Sequence, residues 1–509
     1  MLTNKTFLLT GLTMFAAGMS QAQNKAPNIL FIMSDDHTSQ AISAYGGFLG
    51  QYSPTPNIDR IAKEGARMNN CFVTNSISTP SRACILTGQY SQKNGVYTLN
   101  DALDRNHPTV AKDLQKAGYQ TAIIGKWHLD TEPAGFDYYN VLPGQGRYYN
   151  PLLIKKGDWD KGANGNPLPT EHGGHSTDVI ANDAISFMQS VDRDKPFFLM
   201  CHFKAPHRPW EPADRFKNLL KDVDIPEPAN LLDNYEGKGQ FTQHIRMSME
   251  DMNRVDLKGE TIPENMTRDE KRHWVYQRYI KDYLRCIAGI DENVGRILKY
   301  LDDNGLTENT IVIYTGDQGF FLGEHGWFDK RLMHEECLRM PLLIRFPKEI
   351  KAGTVNSDIV MNLDFAPLFA DYAGISTPSY MQGESFRNNL KGQTPANWRK
   401  SMYYRYWMND DGAHRAPALY GIRTERYKLV YYYARSLGMK GASQGYHIEP
   451  EWELYDLQND PAEMNNIYKN QANKNLITQL KKELLQLKEK YDDQDNKYPE
   501  MIELNKKYW

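Results

Sequence analysis

Residues 78–88, with the sequence STPSRACILTG, combine groups that could bind and transform an anion. Thr79 is a predicted helix N-cap, and Pro80 suits the first helical turn, where no N–H group is needed. The side chain of Ser78 and the free N–H groups of that turn would face one volume, which Arg82 could reach from one turn further along. An ordinary capped helix has the same local pattern, so the distinction depends on the rest of the chain.

Acidic and amide side chains follow two apolar runs that are typical of strands buried on both faces. These runs are residues 28–33 (NILFIM) and 310–315 (TIVIYT). The candidate ligands that follow them are Asp35, Asp36, Asp317 and Gln318. Oxygen ligands suit a hard divalent cation such as Ca²⁺, whereas zinc would favour His or Cys. Either segment alone could be a turn, but the two together at strand ends predict a metal site.

The order of the predicted elements indicates an α/β fold with a mostly parallel sheet flanked by helices. Predicted strands cover residues 28–33, 119–124, 196–203, 310–315 and 342–346, and predicted helices cover residues 57–65, 108–118, 178–191 and 268–303. Ligands bind beyond the carboxyl ends of the strands in such sheets. Two further polar clusters follow predicted strands, namely GKWH at 125–128 and KAPHRP at 204–209.

The chain divides into three predicted segments. Residues 1–22 are typical of a signal peptide, because Lys5 precedes an apolar stretch and Ser-Gln-Ala at 20–22 suits cleavage. Residues 23–376 form the predicted N-terminal catalytic domain, and residues 377–509 form a smaller C-terminal subdomain with an antiparallel sheet and a closing helix. Residues 211–266 are polar and irregular, which predicts a surface insertion.

Composition narrows the function classes. The net charge of −3 gives no basic field for nucleic acid, and no later run is apolar enough to span a bilayer. We therefore expect an exported, periplasmic protein with no nucleic-acid partner and no membrane insertion. The five cysteines are scattered without metal-type spacing, which favours single buried thiols.

The motif Ser-x-Pro-Ser-Arg followed by Ala-x-x-Leu-Thr-Gly resembles the signature of the type I sulfatases. Residues 118–128 are similar to the second signature of that family. The two segments around His207 and around Lys330 also match the family's pattern. Most of residues 27–350 share the resemblance, and two C-terminal segments, 420–429 and 453–463, look like sulfatase C-terminal subdomains. The resemblance implies an alkaline-phosphatase-like sheet and hydrolysis of sulfate esters.

The resemblance also implies a modified nucleophile. In this family the first residue of the signature, Cys or Ser, is oxidised to formylglycine, so that Ser78 would become 3-oxoalanine. A formylglycine-generating maturase would act on the chain in the cytoplasm before export. A plain serine would be inadequate, because a sulfated serine has no second hydroxyl from which sulfate could be expelled.

Further roles follow from the resemblance, residue by residue. Hydrated formylglycine at position 78 would attack with the help of Asp317, while Arg82 and Lys126 hold it. Lys126, His207 and Lys330 would contact the sulfate, with His207 as proton donor to the leaving alcohol. His128 would take the proton that releases sulfate. One Ca²⁺ per chain would be held by Asp35, Asp36, Asp317, Gln318 and residue 78, although many members carry Asn where this chain has Gln318.

Fainter similarity links residues 226–237 and 411–414 to bacterial sulfatases that remove 6-O-sulfate from N-acetylglucosamine in heparin-type saccharides. We expect His414, together with Asp364 and Trp407, to form the sugar subsite of a sulfated oligosaccharide, although the loop of His414 could also be only a polar turn. The alternative is a metal-dependent phosphatase or phosphodiesterase of the alkaline phosphatase superfamily that uses unmodified Ser78. A sugar-binding protein that has lost catalysis is a third possibility.

Overall fold

The computed structural model describes residues 26–445 and 448–509, so the predicted signal peptide lies outside the described residues. The strands are β1 (Asn28–Ser34), β2 (Ala66–Phe72), β3 (Gln120–Lys126), β4 (Tyr138–Leu142), β5 (Leu152–Lys155), β6 (Thr170–Glu171), β7 (Phe197–Phe203), β8 (Thr310–Gly316), β9 (Phe321–Leu322), β10 (Phe328–Asp329), β11 (Arg339–Arg345), β12 (Thr354–Asn356), β13 (Val360–Met361), β14 (Ser401–Tyr406), β15 (Leu419–Thr424), β16 (Tyr427–Tyr432) and β17 (Glu451–Asp456). The helices are α1 (Pro56–Lys63), α2 (Ser78–Thr87), α3 (Ser91–Asn94), α4 (Val110–Lys116), α5 (Ser176–Ser190), α6 (Arg268–Asp303), α7 (Glu335–Leu338), α8 (Phe365–Tyr372), α9 (Arg387–Leu390), α10 (Lys474–Lys490) and α11 (Pro499–Tyr508).

The main sheet has the order β12-β2-β11-β8-β1-β7-β3-β4-β5-β6, with β13 also paired to β2. Its centre is parallel, because β8, β1, β7, β3 and β4 all run in the same direction. β11 is antiparallel to both of its neighbours, and β5 and β6 continue the sheet in antiparallel pairs. The predicted α/β class with a mostly parallel sheet is confirmed.

Strand β1 shows why the apolar runs lie at the centre of this sheet. Ile29 and Phe31 pack into the core on one face, and Leu30 and Ile32 pack into the core on the other face. Each such side chain contributes about 1.5–3 kcal/mol when fully buried. Helices α2, α4 and α8 cover the first face, and α1, α5 and α6 cover the second. A strand covered on both sides leaves only its ends for polar chemistry.

Helix α6 has the predicted bounds and begins with a capping box. The side chain of Thr267 accepts from the backbone N–H of Glu270, and the Glu270 carboxylate accepts from the backbone N–H of Thr267. One face of this helix buries a long apolar stripe against the sheet. It therefore supports the strands whose ends carry the polar clusters.

The C-terminal part of the chain forms a four-stranded antiparallel sheet, β14-β15-β16-β17, with α10 packed against it. Its apolar side chains belong to the same core as the α2 face of the main sheet. The predicted antiparallel sheet and helix are confirmed. All five cysteines are buried and unpaired, as predicted, and no helix among the described residues is long and apolar enough to cross a membrane.

Candidate active site

The register of the central strands places the two acidic segments side by side. Ser34 at the end of β1 pairs with Gly316 at the end of β8, so Asp35 and Asp317 each follow a paired residue. The backbone N–H of Asp36 donates to Oδ1 of Asp317 across 3.0 Å. The segments that lie about 280 residues apart in the chain therefore meet at one edge of the sheet.

Ser78 is the first residue of α2, and its hydroxyl donates to Oδ1 of Asp35 across 3.0 Å. The prediction that Thr79 caps this helix is wrong. Ile77 occupies the N-cap position in extended backbone and makes no side-chain cap hydrogen bond, while its carbonyl accepts from the N–H of Ser81. The helix begins two residues earlier than predicted, so Ser78 lies in its first turn with its side chain directed at the strand ends.

Arg82 lies one turn into α2 and is almost fully buried. Its Nη2 donates to Oδ2 of Asp317 across 3.0 Å, and its Nη1 donates to the carbonyl of Lys126 across 2.8 Å. The guanidinium therefore connects the helix to the ends of two strands, β8 and β3. Removing one partner from a buried pair of this kind costs about 3–5 kcal/mol.

Two ammonium groups face the carboxylates at the strand ends. Lys126 Nζ contacts the carboxylate of Asp35 and donates to Oε1 of Gln145 across 2.6 Å. Lys330 Nζ donates to Oδ1 of Asp36 across 2.5 Å. Gln145 was not found from the sequence, because a single Gln in a loop carries no distinctive pattern.

His207 is held in a defined orientation. Its Nδ1 lies 2.7 Å from the carbonyl of Arg208, which can only accept, so Nδ1 carries a proton. Nε2 lies 3.8 Å from Oδ2 of Asp36 and faces the strand ends. Burial, together with the nearby charge of Lys126, holds the pKa of His207 well below its usual range. A neutral His207 therefore has an acceptor at Nε2, and must take up a proton there before it can donate one.

His128 follows the end of β3 with a left-handed backbone (φ 54°). Its Nδ1 is buried without a hydrogen-bond partner among the described residues. Burial and the charge of Lys126 hold the pKa of His128 well below its usual range. The imidazole is consequently neutral and able to accept a proton.

The donor set at the strand ends fits a hard divalent cation. Asp35, Asp36 and Asp317 supply buried carboxylates, and Gln318 supplies an amide. Within the described residues, Asp36 Oδ2 and Gln318 Oε1 are buried and make no hydrogen bond. Burial raises the pKa of Asp36 to about 7 despite the opposing charge of Lys330, and the neighbouring carboxylates of Asp35 and Asp317 add to the rise. Oxygen donors with this charge match the preference of Ca²⁺ or Mg²⁺.

A cavity of about 970 Å³ opens above this edge of the sheet. Four of the predicted site residues line it, namely Ser78, His207, Lys330 and His414. The other lining residues are Leu99, Gln145, Arg208, Pro209, Arg246, Asp251, Asn253, Val255, Asp256, Phe328, Asp329, Arg331, Gly412 and Ala413. The cavity thus joins the nucleophile position to a wall with charged and apolar groups, which suits a polar ring-shaped substrate.

His414 lies in this wall, bound by carboxylates on both sides. Its Nδ1 lies 2.8 Å from Oδ2 of Asp411, and its Nε2 lies 3.3 Å from Oδ2 of Asp329. Arg331 bridges the same two carboxylates, with Nε 3.3 Å from Oδ2 of Asp411. Arg208 also reaches Asp329, at 3.5 Å. Asp329 and Arg331 flank Lys330 in the sequence and Arg208 follows His207, which is the signal that could have identified them. Asp411 begins the loop that contains His414.

Residues 211–266 also contribute to the cavity, which the interpretation as a surface insertion did not predict. Arg246, Asp251 and Asp256 lie in its lining. The backbone N–H of Arg246 donates to the carbonyl of His414 across 2.7 Å. The segment has no helical or strand periodicity, so only its contacts reveal that it forms part of the site.

Asp364 and Trp407, predicted in the sugar subsite, do not lie in the lining of this cavity. Asp364 is fully buried in an ion pair with Arg399 and accepts from the backbone N–H groups of Met361 and Glu384. Trp407 is buried with the guanidinium carbon of Arg405 3.5 Å from its ring centroid. Both side chains lie in the core, where each contacts a buried cation.

The chain is similar to known protein families over most of its length. The sulfatase family profile matches residues 27–375, and the profile of the C-terminal region of N-sulphoglucosamine sulphohydrolase matches residues 323–490. An N-acetylglucosamine-6-O-sulfatase of Bacteroides thetaiotaomicron is 43% identical over 528 aligned residues, covering 94% of this chain and 89% of that protein.

Two solved structures have a fold similar to that of this chain. A protein crystallised with its substrate D-glucosamine-2-N,6-O-disulfate superimposes with a TM-score of 0.83 and 42% identity, over 92% of this chain and 99% of that one. A phosphonate monoester hydrolase of Agrobacterium radiobacter superimposes with a TM-score of 0.72 and 21% identity, over 91% of this chain and 96% of that one. The second likeness is one of fold alone.

Proposed function

Because the chain belongs to the sulfatase family of sulfuric ester hydrolases, we propose that it removes 6-O-sulfate from N-acetylglucosamine or N-sulfated glucosamine in heparin-type and heparan-type saccharides. The observation that carries this proposal is the Ser78 hydroxyl, 3.0 Å from Asp35, in the lining of a cavity whose wall holds His414. The named activity of the 43% identical relative supports the choice of sugar and position.

Ser78 is the proposed site of formylglycine. The hydrate of formylglycine supplies two hydroxyls on one carbon, one to attack sulfur and one from which sulfate can be eliminated. The position fits such a group, because Ser78 lies at the start of α2 and faces both the cavity and a carboxylate. The Ser78 hydroxyl donates to Asp35, and both candidate proton acceptors are paired with cations, Asp35 with Lys126 and Asp317 with Arg82.

Lys126, Lys330 and His207 surround the position where a sulfate ester would lie. The two ammonium groups would stabilise charge on the sulfate oxygens as the S–O bond breaks. His207 Nε2 would give a proton to the leaving alcohol oxygen, with Nδ1–H fixed by the carbonyl of Arg208. The anionic substrate would favour the charged imidazole that this step requires.

His128 is proposed to accept a proton from the residue at position 78 in the step that releases sulfate. Its neutral state in the buried site supports this role. Arg82 would keep position 78 in place through its contacts with Asp317 and the carbonyl of Lys126.

Ca²⁺ is the proposed metal, held by Asp35, Asp36, Asp317 and Gln318, with the oxygen at position 78 as a further ligand. The ion supplies a Lewis acid beside the sulfate. Gln318 carries one methylene more than Asn, and its Nε2 donates to the carboxylates of Asp36 and Asp317, the latter at 2.7 Å, while Oε1 has no hydrogen-bond partner among the described residues.

His414 is the proposed sugar contact, oriented by Asp411 and Asp329. We propose in addition that residues 1–22 direct export to the periplasm, and that a cytoplasmic maturase oxidises Ser78 before export. Residues 23–376 and 377–509 are the proposed catalytic domain and C-terminal subdomain.

The decisive test is a substrate panel with mature protein. Sulfate release would be measured from N-acetylglucosamine-6-sulfate, glucosamine-2-N,6-O-disulfate, and the 3-sulfated and 4-sulfated isomers. We expect the two 6-sulfated sugars to be preferred. Equal rates on all isomers would contradict the proposed specificity. Faster hydrolysis of bis(4-nitrophenyl) phosphate by protein with unmodified Ser78 would support phosphoryl transfer instead.

A further inference from the structure

A second groove lies on the C-terminal subdomain. It has a volume of about 730 Å³ and is formed by the start of α10, the turn before it and the side chain of residue 509. We name it the lysine groove, after Lys469, Lys474, Lys481 and Lys482, which line it with Tyr468 and Trp509. It shares no lining residue with the cavity at Ser78.

The spacing along α10 explains how the groove forms. Lys474, Thr478, Lys481 and Leu485 recur at helical intervals and line the groove. Leu480 and Leu484 lie on the other side of the helix and are buried in the core, whereas Leu485 is 47% exposed. One side of α10 therefore packs against the core, and the side that carries the lysines faces the groove.

The charge of the lysine groove is not neutralised locally. Its lining contains no Asp or Glu side chain, and among the described residues none of its four lysines has a carboxylate oxygen within 4.0 Å. Other lysines of the same region are paired, since Lys488 contacts Asp495 at 2.8 Å and Lys490 contacts Glu384 at 3.2 Å. The groove therefore offers positive charge that no close ion pair neutralises, although Lys469 also interacts with Glu451 over a longer distance.

Aromatic rings surround one of these cations. Lys481 Nζ lies 4.1 Å from the ring centroid of Trp452, 5.5 Å from that of Tyr468 and 5.6 Å from that of Trp509. Trp452 and Tyr468 are nearly parallel, with an angle of 9° between their planes. Burial lowers the pKa of Lys481 to about 8, so a bound anion would stabilise its charged form. Aromatic faces also offer flat apolar surface to the C–H groups of a sugar ring.

We propose that the lysine groove is a second, non-catalytic binding site for an anionic glycan chain. The ammonium groups would bind sulfate or carboxylate groups, and Tyr468 and Trp509 would contact the sugar rings. A concave site with aromatic sides fits a narrow chain better than it fits a flat lipid surface. The site would hold a polymer on the enzyme between cleavage events, and it does not depend on the chemistry at Ser78.

The test measures binding without turnover. The variant Lys474→Gln/Lys481→Gln/Lys482→Gln would be compared with Lys490→Gln/Lys506→Gln/Lys507→Gln, which removes the same charge from lysines paired with Glu384, Glu503 and Glu449. The probe is a size-defined heparin dodecasaccharide, titrated calorimetrically in a Ser78→Ala background. We expect the groove variant to bind about tenfold or more weakly and the control to bind within about twofold of the parent.

Activity on substrates of two sizes provides the second readout. With mature protein, kcat/KM on glucosamine-2-N,6-O-disulfate should be unchanged in the groove variant, and kcat/KM on the polymer should fall. Equal heparin affinity of the groove variant and the parent would overturn the proposal, as would an equal loss in the control. Loss of binding to phosphatidylserine vesicles, with heparin binding unchanged, would assign the groove to a membrane and also overturn it.

Discussion

The hydroxyl of Ser78 lies 3.0 Å from Oδ1 of Asp35, which joins the first residue of α2 to the residue that follows β1. Both residues are buried, and Asp35 also contacts Lys126. The position of Ser78, the proposed nucleophile, is therefore set by the helix and by two central strands. Changes to this unit should affect catalysis before they affect folding.

Removal of divalent metal should destabilise the protein and inactivate it. Dialysis against EDTA should lower the melting temperature, and Ca²⁺ should restore it, because a ligand present at 100 times its Kd stabilises the folded state by about 2.7 kcal/mol. Gln318→Ala should weaken Ca²⁺ binding, measured by calorimetry, more than Gln318→Asn does. Asp251→Asn, at a carboxylate in the cavity lining but outside the carboxylate cluster, is the control. Identical melting curves with and without EDTA would count against the metal site.

His207→Gln should slow the reaction in a way that depends on the leaving group. A general acid contributes about 10²- to 10⁴-fold to the rate when the leaving alcohol is poor. Loss of kcat should therefore be large on a sugar 6-sulfate and small on 4-nitrophenyl sulfate, whose phenolate leaves without a proton. Equal losses on both substrates would show that His207 does not protonate the leaving oxygen.

His414→Ala should reduce sugar selectivity and leave the sulfate chemistry intact. Loss of a hydrogen bond that leaves its partner unpaired costs about 1–3 kcal/mol, or roughly 5- to 150-fold in kcat/KM on N-acetylglucosamine-6-sulfate. Activity on 4-nitrophenyl sulfate should change little. His172→Ala, at a histidine outside this cavity, is the matched control. Unchanged kinetics on every sulfated sugar would remove His414 from the subsite.

Asp364→Ala should lower stability without changing substrate affinity. Arg399 would keep its buried charge and lose its partner, at a cost of about 3–5 kcal/mol in the free energy of unfolding. Denaturant unfolding would measure this loss, and KM of the remaining folded enzyme should equal that of the parent. A raised KM at parental stability would return Asp364 to the sugar subsite.

The sequence predicts the central strands because each is a continuous apolar run that ends at polar residues. It also predicts that these polar ends meet, because the strands are parallel. The sequence does not reveal β2, because the half-buried polar residues Arg67, Asn69 and Asn70 interrupt its apolar pattern. The direction of β11 could not be predicted either, because an apolar run has the same composition in either orientation. Local periodicity does not determine pairing.

In the candidate site, too, some residues could be predicted from the sequence and others could not. Residues carried by signatures, such as Arg82 and Lys330, lie together at the strand ends. Gln145 and Arg246 reach the cavity from loops that have no periodicity, so their positions depend on tertiary packing. Asp364 shows the opposite error, because a buried acid can satisfy a structural arginine as readily as it can bind a ligand.

The most direct test of the account is the mass of the tryptic peptide covering residues 68–82, from protein purified from its native source. The account predicts a peptide lighter by two hydrogen atoms that reacts with hydrazine, as expected for an aldehyde at Ser78. An unmodified peptide from fully active native protein would contradict the account, because turnover through a plain serine would not regenerate the nucleophile.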